Sequence, residues 1–594
     1  MHSKDHLTTT EKSPSSFFMQ AKAYGIGGAF IGIILFLLIY GIAPLVPTNV
    51  SFLYNSPDQD VMSHQFGFDF YRYSPWQHPL GQTDHYPYPY VSSVINSDSI
   101  PIFALFFKLI SPLLPEYFQY FGLWIFLCFA LQGFSASLLL HRLKVRFVPA
   151  MCAVPLFICN VPLLFRCFHH SALTGQWLIL LCFLLILDHN HLSLKKQLFF
   201  WSLLCGLSVW IHGYLFIMVG LLMTLNCIYH ILKEHQLMPV LAVFFSCVIT
   251  TLFFYYEGGG FISYPNVPVW GLGLLTFDLT DLFNPTSFST FLPGVRPPFS
   301  TENASYLGLG IILLFFLSIV LIFNKKNALK KLVRENSLEF RFCLFSVLLI
   351  TLLSFGVCAR FAGHPIYDLR PVLSEKSTIM LSNFRSSARF FWPVWYLMLL
   401  VCLTVICRSF KSRDLLCILL IASGLLQYTD VVPNTANGGS DIIINGYSGI
   451  PATAFENCYS AEAKHLCFLG PSFITNAAVF AAHNHMTLNA SKVGRGLKNA
   501  QQFDTEKVRS GELRSDTVYV LPLKYAHYIY PVKIPEDFRI FYCSDCLYIS
   551  DTSLILNPPH GEAVEISLED LIAIAEQLHE AHGDAPSIPS YDEI

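Results

Sequence analysis

The chain has 594 residues, 53% hydrophobic and 13% charged, with a formal net charge of −3 and a mean hydropathy of +0.49. Soluble domains carry about one quarter charged residues, so this composition excludes an ordinary soluble protein and points to a polytopic membrane protein. A near-neutral balance without a basic tail offers no footprint for nucleic acid.

Residues 1–23 read as an inner N-terminal tail. The next run, GIGGAFIGIILFLLIYGIAPLV, is too long for the core of a signal peptide and no small-residue cleavage site follows it. It reads as a retained first helix. Further apolar runs place spans near 24–45, 117–140, 148–166, 172–188, 197–211, 213–232, 237–256, 306–323, 338–357, 390–407 and 414–430, about eleven in a transmembrane region of 24–432. Around Trp210-Ile211-His212-Gly213 the pattern allows either a hairpin or one broken helix.

With the N-terminus inside, every inner loop is basic: Arg142, Lys144 and Arg146; Lys195 and Lys196; Lys233; Lys325 to Arg334; Arg408, Lys411 and Arg413. This fits the positive-inside bias, and an odd number of spans then puts the C-terminus outside. Long outer segments are expected at 46–116, 257–305 and 358–389. Within the first, IPIFALFFKLISP (100–112) is too short to span and suits an interfacial helix with Lys108 snorkelling.

After Pro433 the composition changes. TVYVLPL, RIFYC and LYIS read as strands, and Ser567 with Asp570 reads as a capping box opening a helix. An outer α/β domain is expected over 433–582, followed by a disordered tail at 583–594. Most of the 17 cysteines lie in apolar runs, but Cys458, Cys467, Cys543 and Cys546 lie in this domain. The Cys543-x-x-Cys546 pair reads as a disulfide or an inert pair on the outer side.

Polar residues concentrate in the outer segments. Asp58, Asp60, His64, Asp69 and Arg72 follow the first helix, and on a helix from Asp60 the residues His64, Gly67 and Arg72 share a face with it. A carboxylate, an imidazole and a guanidinium there can bind a cation or phosphate and abstract a proton; an interfacial loop with aromatic anchors is the alternative. Asp98 is either a catalytic acid or the N-terminal cap of the interfacial helix. Arg385 and Arg389, four apart on one expected helix face, run against the charge bias and suit a phosphate. Glu302 and Asn303 can orient a sugar or cap a span, and Tyr306 joins them as a candidate for substrate binding. His169, His170, Gln176, Trp177 and His212 lie near the outer side, where lone histidines are more often packing groups. There is no Walker loop, G-x-G-x-x-G, G-x-S-x-G or H-E-x-x-H, so no nucleotide cofactor is expected.

Three motifs carry a resemblance: Asp60-x3-His64-x2-Gly67-x4-Arg72-x3-Trp76-x2-Pro79-x-Gly81 followed by Asp98-Ser99-Ile100-Pro101; Tyr306-Leu307-Gly308-Leu309-Gly310; and Arg385-Ser386-Ser387-x-Arg389-Phe390-x-Trp392-Pro393. The chain resembles the GT-C superfamily of membrane glycosyltransferases, and more closely an uncharacterised bacterial family of GT-C-like membrane proteins. The resemblance implies an inner-membrane enzyme, with its active face and C-terminal domain in the periplasm. It would move a sugar from a polyprenyl-phosphate carrier to a glycan, lipid or protein acceptor with inversion. Asp60 and Asp98 would be the catalytic acids. Arg385, Arg389 and Arg72 would bind the donor phosphate, and His64, Trp76, Glu302, Asn303 and Tyr306 the substrate. A divalent cation (Mg or Mn) would sit on Asp60 and Asp58. The alternative is a polysaccharide or lipid transporter, or a non-catalytic partner in glycan assembly. Scarce charge at the span centres favours surface chemistry over passage.

Overall fold

The computed structural model describes residues 14–54, 59–235, 237–262, 270–295, 304–324, 334–435, 458–490, 500–557 and 563–583. All eleven expected apolar segments are helical, but eight helices among the described residues are long and apolar enough to cross a membrane. These are Met19–Tyr40, Phe121–Arg142, Ser171–His191, Gly213–Glu234, Leu237–Glu257, Ser337–Phe355, Ser387–Ser409 and Arg413–Thr435. The other three are Phe147–Ile158, Leu194–Val209 and Leu309–Asn324, of 12, 16 and 16 residues. A 16-residue helix is about 24 Å long, short of a hydrocarbon core of about 30 Å. The molecule is a polytopic helical membrane protein: among the described residues, eight of the eleven expected segments have the length of a full span and three are shorter.

The break at Trp210–His212 resolves as a turn between two helices. Leu194–Val209 ends there, and the His212 side chain accepts from the Tyr214 N–H as the N-cap of the next span. The first two spans cross at their glycines. A Cβ at Gly28 would overlap the carbonyl of Gly133, one at Gly133 would overlap that of Gly28, and one at Gly32 would meet the backbone of Phe129. Small residues let helix backbones approach closely where lipid supplies no hydrophobic drive.

The first outer segment is a folded layer. Its helix Gln59–Tyr73 buries both faces. Val61, Phe68 and Tyr71 join the core of the helix bundle, while Met62, Phe66 and Phe70 join a second core built with the C-terminal residues Leu466, Phe468, Val479 and Val520. The short helix Pro101–Leu109 follows. Lys108 does not snorkel: it is buried, donates to Ser74 Oγ (3.0 Å), and lies 3.9 Å from the centroid of the Tyr71 ring.

The C-terminal region forms a six-stranded sheet in the order Val564–Glu565, Phe538–Cys543, Cys546–Asp551, Thr517–Pro522, His465–Phe468, Thr487–Leu488. The last three pair in parallel, the others antiparallel. The Phe538–Asp551 hairpin turns on Ser544 and Asp545, both at positive φ, as a two-residue hairpin turn requires. Cys543 faces Cys546 across it, and all four cysteines of this region are free thiols. The edge at Thr487–Leu488 is covered by the first outer segment, with Leu488 N donating to His85 O (2.9 Å) and Tyr88 N to Leu488 O (2.7 Å). Ser567 and Asp570 form a capping box on helix Leu568–His582.

Asp69 lies between the two cores. It accepts from Tyr54 Oη (2.7 Å) and Gln65 Nε2 (2.7 Å), and Tyr54 Oη is also 3.3 Å from His483 Nε2 of the C-terminal region. Burial pushes its carboxyl up from 3.8 to about 7, against the opposing pull of Tyr54, Gln65 and Arg72. The folded state therefore holds this proton to higher pH than the unfolded chain. The contribution is complete below 3.8 and is lost as pH rises through about 7. Asp69→Asn cannot titrate, so the melting temperature of wild type relative to this variant should fall across that window. A thermal-shift series in pH reads it, and a constant difference rejects the assignment.

Candidate active site

The loop Asn96–Ile100 is clamped from three sides. Ser99 Oγ donates to His64 O (2.7 Å), Tyr120 Oη donates to Ser99 O, and Ile102 N donates to Trp210 O (3.0 Å). On the fourth side stands Gly67, where a Cβ would overlap Ser97 Oγ, Ser97 Cβ and Ser99 Oγ. Asp98 and Ile100 take left-handed backbone angles (φ 51° and 52°), conformations that non-glycine residues hold only where the surroundings enforce them. This backbone delivers Asp98 to His212, with Oδ1 3.5 Å from Nε2. Asp98 is not a helix cap: the N-cap of Pro101–Leu109 is Ile100, with no side-chain capping bond.

Asp60 enters from the start of its helix and pairs with His170, Oδ2 to Nε2 3.2 Å. The side chain of Asp60 is 54% exposed and that of Asp98 29%. His64 joins the two pairs: its ring centroid is 6.0 Å from that of His170, and its charge acts on Asp98. Arg389 also acts on both Asp98 and His170; its guanidinium carbon lies 4.8 Å from the Tyr214 ring centroid, and the residue is 6% exposed. Arg166, fully buried, adds a further positive charge near His170. Desolvation alone would raise the Asp98 carboxyl, but His212, then His64 and Arg389, outweigh it and hold the group down to about 2. His170 is driven the other way: burial, then Arg389, Arg166, His64 and His212, push its pKa well below the usual imidazole value. At neutral pH the site thus holds an ionised Asp98 and a neutral His170.

His170, His212 and Arg389 stand at the N-terminal ends of three spans, Ser171–His191, Gly213–Glu234 and Ser387–Ser409. Helix N-termini carry partial positive charge, so these ends and the two guanidiniums together favour an anionic ligand between them and the carboxylates.

The remaining expected residues fall into three groups. Asp58, Glu302 and Asn303 lie outside the described residues. Arg72 does not face the site: Nε donates to Ser111 Oγ (2.8 Å) and the two Nη atoms to the carbonyls of Pro115 (3.0 Å), Glu116 (3.0 Å), Ser111 (3.2 Å) and Leu114 (3.3 Å). It is a staple for the turn after Pro101–Leu109. Tyr306 is fully buried, its hydroxyl donating to Asp430 Oδ2 (3.1 Å), which also accepts from Leu309 N (2.9 Å); this is a structural clamp, not a substrate contact. Trp76 keeps an exposed ring (51%) with Lys108 Nζ 4.8 Å from its centroid. Arg385 and Arg389 do not share a helix face: Arg385 precedes the 3-10 turn Ser387–Phe391, packs against Gly271, and is only half-buried.

Removing the buried Arg72 guanidinium takes a charged donor from four part-buried carbonyls and from Ser111 Oγ, a cost of about 1–3 kcal/mol. Arg72→Ala should therefore lower the melting temperature sharply. A variant of unchanged stability but reduced donor affinity would restore Arg72 to the site.

The donors around Asp60 and Asp98 are imidazoles and guanidiniums, whereas Mg and Mn favour carboxylate and carbonyl oxygens. Among the described residues no third metal-ligating side chain completes an ion site at either acid.

Sequence reasoning passed over His170 and His212 as packing groups and did not register Arg166. The available signal was their setting: Arg166 breaks an apolar run three residues before a His-His pair, and His212 sits at the junction of two spans.

No curated protein matches the chain. Among solved structures, the archaeal oligosaccharyltransferase AglB from Archaeoglobus fulgidus, in complex with an inhibitory peptide and a dolichol-phosphate, aligns at a TM-score of 0.35 and 11% identity, covering 94% of this chain and 78% of that one. A likeness at that level carries no argument about fold or activity. Residues 29–432, which hold both carboxylates, their histidines and Arg389, match the family described as a domain of unknown function, DUF6311, and the chain belongs to that family.

Proposed function

We propose that this protein is a GT-C-like glycosyltransferase that works at the outer face of the bacterial inner membrane, taking a sugar from a polyprenyl-phosphate carrier. The observation that carries the reading is the convergence of Asp60–His170 and Asp98–His212 with Arg389 at one end of the helix bundle. In the proposed step an acceptor hydroxyl oxygen attacks the sugar C1 from the face opposite the phosphate. The C1–O bond to the phosphate breaks, and the anomeric centre inverts through an oxocarbenium-like state. The hydroxyl proton passes to Asp60, the more exposed acid, oriented by neutral His170. Asp98, held ionised, is a poor base and a good fixed anion for the positive charge growing on the sugar ring. Arg389 receives the phosphate leaving with its lipid, with Arg385 as a second guanidinium for the distal part of the carrier. Trp76 offers an exposed ring for a sugar face.

The inner loops' basic residues support an outer location for this end, with the sheet domain beside it. Glycan, lipid and protein hydroxyls all fit the proposed acceptor role.

The test is incubation of the purified full-length protein with a panel of polyprenyl-phosphate sugars and acceptors, with and without EDTA. Transfer with inversion supports the reading. Transfer lost with EDTA and regained with Mg or Mn would add a cation at Asp60. Binding without transfer or carrier hydrolysis across the panel favours the non-catalytic partner instead.

A further inference from the structure

The spans Ser171–His191 and Gly213–Glu234 also carry a polar cluster at their other ends. There His189, His230 and Glu234 offer ligand atoms that all lie within 4.8 Å of one another, and they are the one such group found among the described residues. His230 and Glu234 are four apart on one helix, with Nδ1 3.0 Å from Oε1, and His189 comes from the turn that ends the neighbouring span. The His189 and His230 rings stack nearly parallel, with centroids 3.3 Å apart and planes at 12°. A cavity of about 300 Å³ opens beside them, lined by His189, Asn190, Gln197 and Glu234 among others.

We propose that this cluster is a binding site for a zinc-class divalent ion, unrelated to the transfer chemistry. Two imidazoles and one carboxylate suit a borderline-soft cation, and three protein ligands leave a fourth tetrahedral position for water, which the adjoining cavity can supply. The ligand atoms of such an ion stand about 3.3 Å apart, given metal–ligand bonds of about 2.0–2.1 Å. Binding would turn the His189 and His230 rings out of their face-to-face stack so that both in-plane lone pairs meet at the ion, with a rotation of the long Glu234 side chain closing the rest. A neighbour completes the set: the Asn226 amide lies 3.4 Å from His189 Nδ1, and its Oδ1 is buried with no hydrogen-bond partner among the described residues. Exchange of the amide oxygen and nitrogen lets Asn226 accept from His189 Nδ1–H and leaves the Nε2 lone pair for the ion. A 22-residue span is about 33 Å long, so this site lies at the opposite membrane face from His170 and His212. The ion would pin together the far ends of the two helices that present those histidines.

The test uses full-length protein in nanodiscs, purified without a polyhistidine tag and stripped with a chelator. Cobalt titration is followed by visible absorption, and bound zinc is counted by plasma mass spectrometry. Wild type and Asp60→Asn should each bind one equivalent of zinc, with a higher melting temperature in its presence. His189→Gln and Glu234→Gln should each weaken binding at least tenfold and lose the thermal shift. Wild type that binds no tight equivalent, or variants that retain it, overturn the proposal; loss in Asp60→Asn would relocate the ion to the outer site.

Discussion

Asp98→Asn is expected to lower transfer by about 10²–10⁴-fold. It should also lower the melting temperature at neutral pH, because the carboxyl held down to about 2 stabilises the fold there, and that difference from wild type should shrink as pH falls from 3.8 towards 2. Residue 98 holds φ at 51°, and Asn is among the few residues that tolerate the left-handed region, so the substitution keeps the backbone and removes only the charge. Asp98→Ala would add backbone strain and confuse the two effects. Asp60→Asn should cut kcat comparably, because it removes the proposed proton acceptor. The assay is the sugar-transfer reaction with the carrier lipid identified by the panel. Full activity in Asp60→Asn rejects it as the base, and full activity in both variants removes the site.

Gly67→Val is expected to be nearly as damaging by a different route. A side chain there has no room beside Ser97 and Ser99, and overpacking of this kind costs about 1–3 kcal/mol where the structure cannot yield. What yields is the loop that carries Asp98. A displacement of about 1 Å at a reacting group can cost about 100-fold in rate, so activity should fall further than stability. Removing the obstacle offers a control: Ser97→Gly in the Gly67→Ala background should recover part of the loss. Equal activity in Gly67→Val and wild type would show that the Asn96–Ile100 loop has no need of its present position.

The helical segments were legible from apolar run length alone, because a helix in lipid must satisfy its own backbone and announces itself by composition. Their capacity to span was less so. Phe147–Ile158 stops at a break that Asn160 recaps, its side chain accepting from Leu163 N (3.1 Å), and a hydropathy reading runs straight across such a break. Asp60, Asp98 and Arg389 stand out in the sequence because charged groups next to spans are costly and therefore conspicuous. Their partners do not. His170 and His212 reach the two acids across long stretches of chain, and the local signal was confined to their setting, beside Arg166 and at a junction of two spans. Arg72 erred the other way: its spacing from Asp60 fitted a shared face, but the carbonyls of residues 111, 114, 115 and 116 claim its guanidinium. Spacing identifies a helix face and leaves open what that face meets.

The two-sided burial of Gln59–Tyr73 bears on how the protein is made. The family match ends at residue 432, yet Met62, Phe66 and Phe70 pack against residues from 458 onward. While the chain is still emerging, those three side chains have no cover, and the helix that bears Asp60 and presses Gly67 against the Asp98 loop lacks one of its two supports. Residues from 458 onward thus help set the first outer segment in place. A chain cut before residue 458 would keep its membrane helices and still leave the helix that bears Asp60 with one face uncovered.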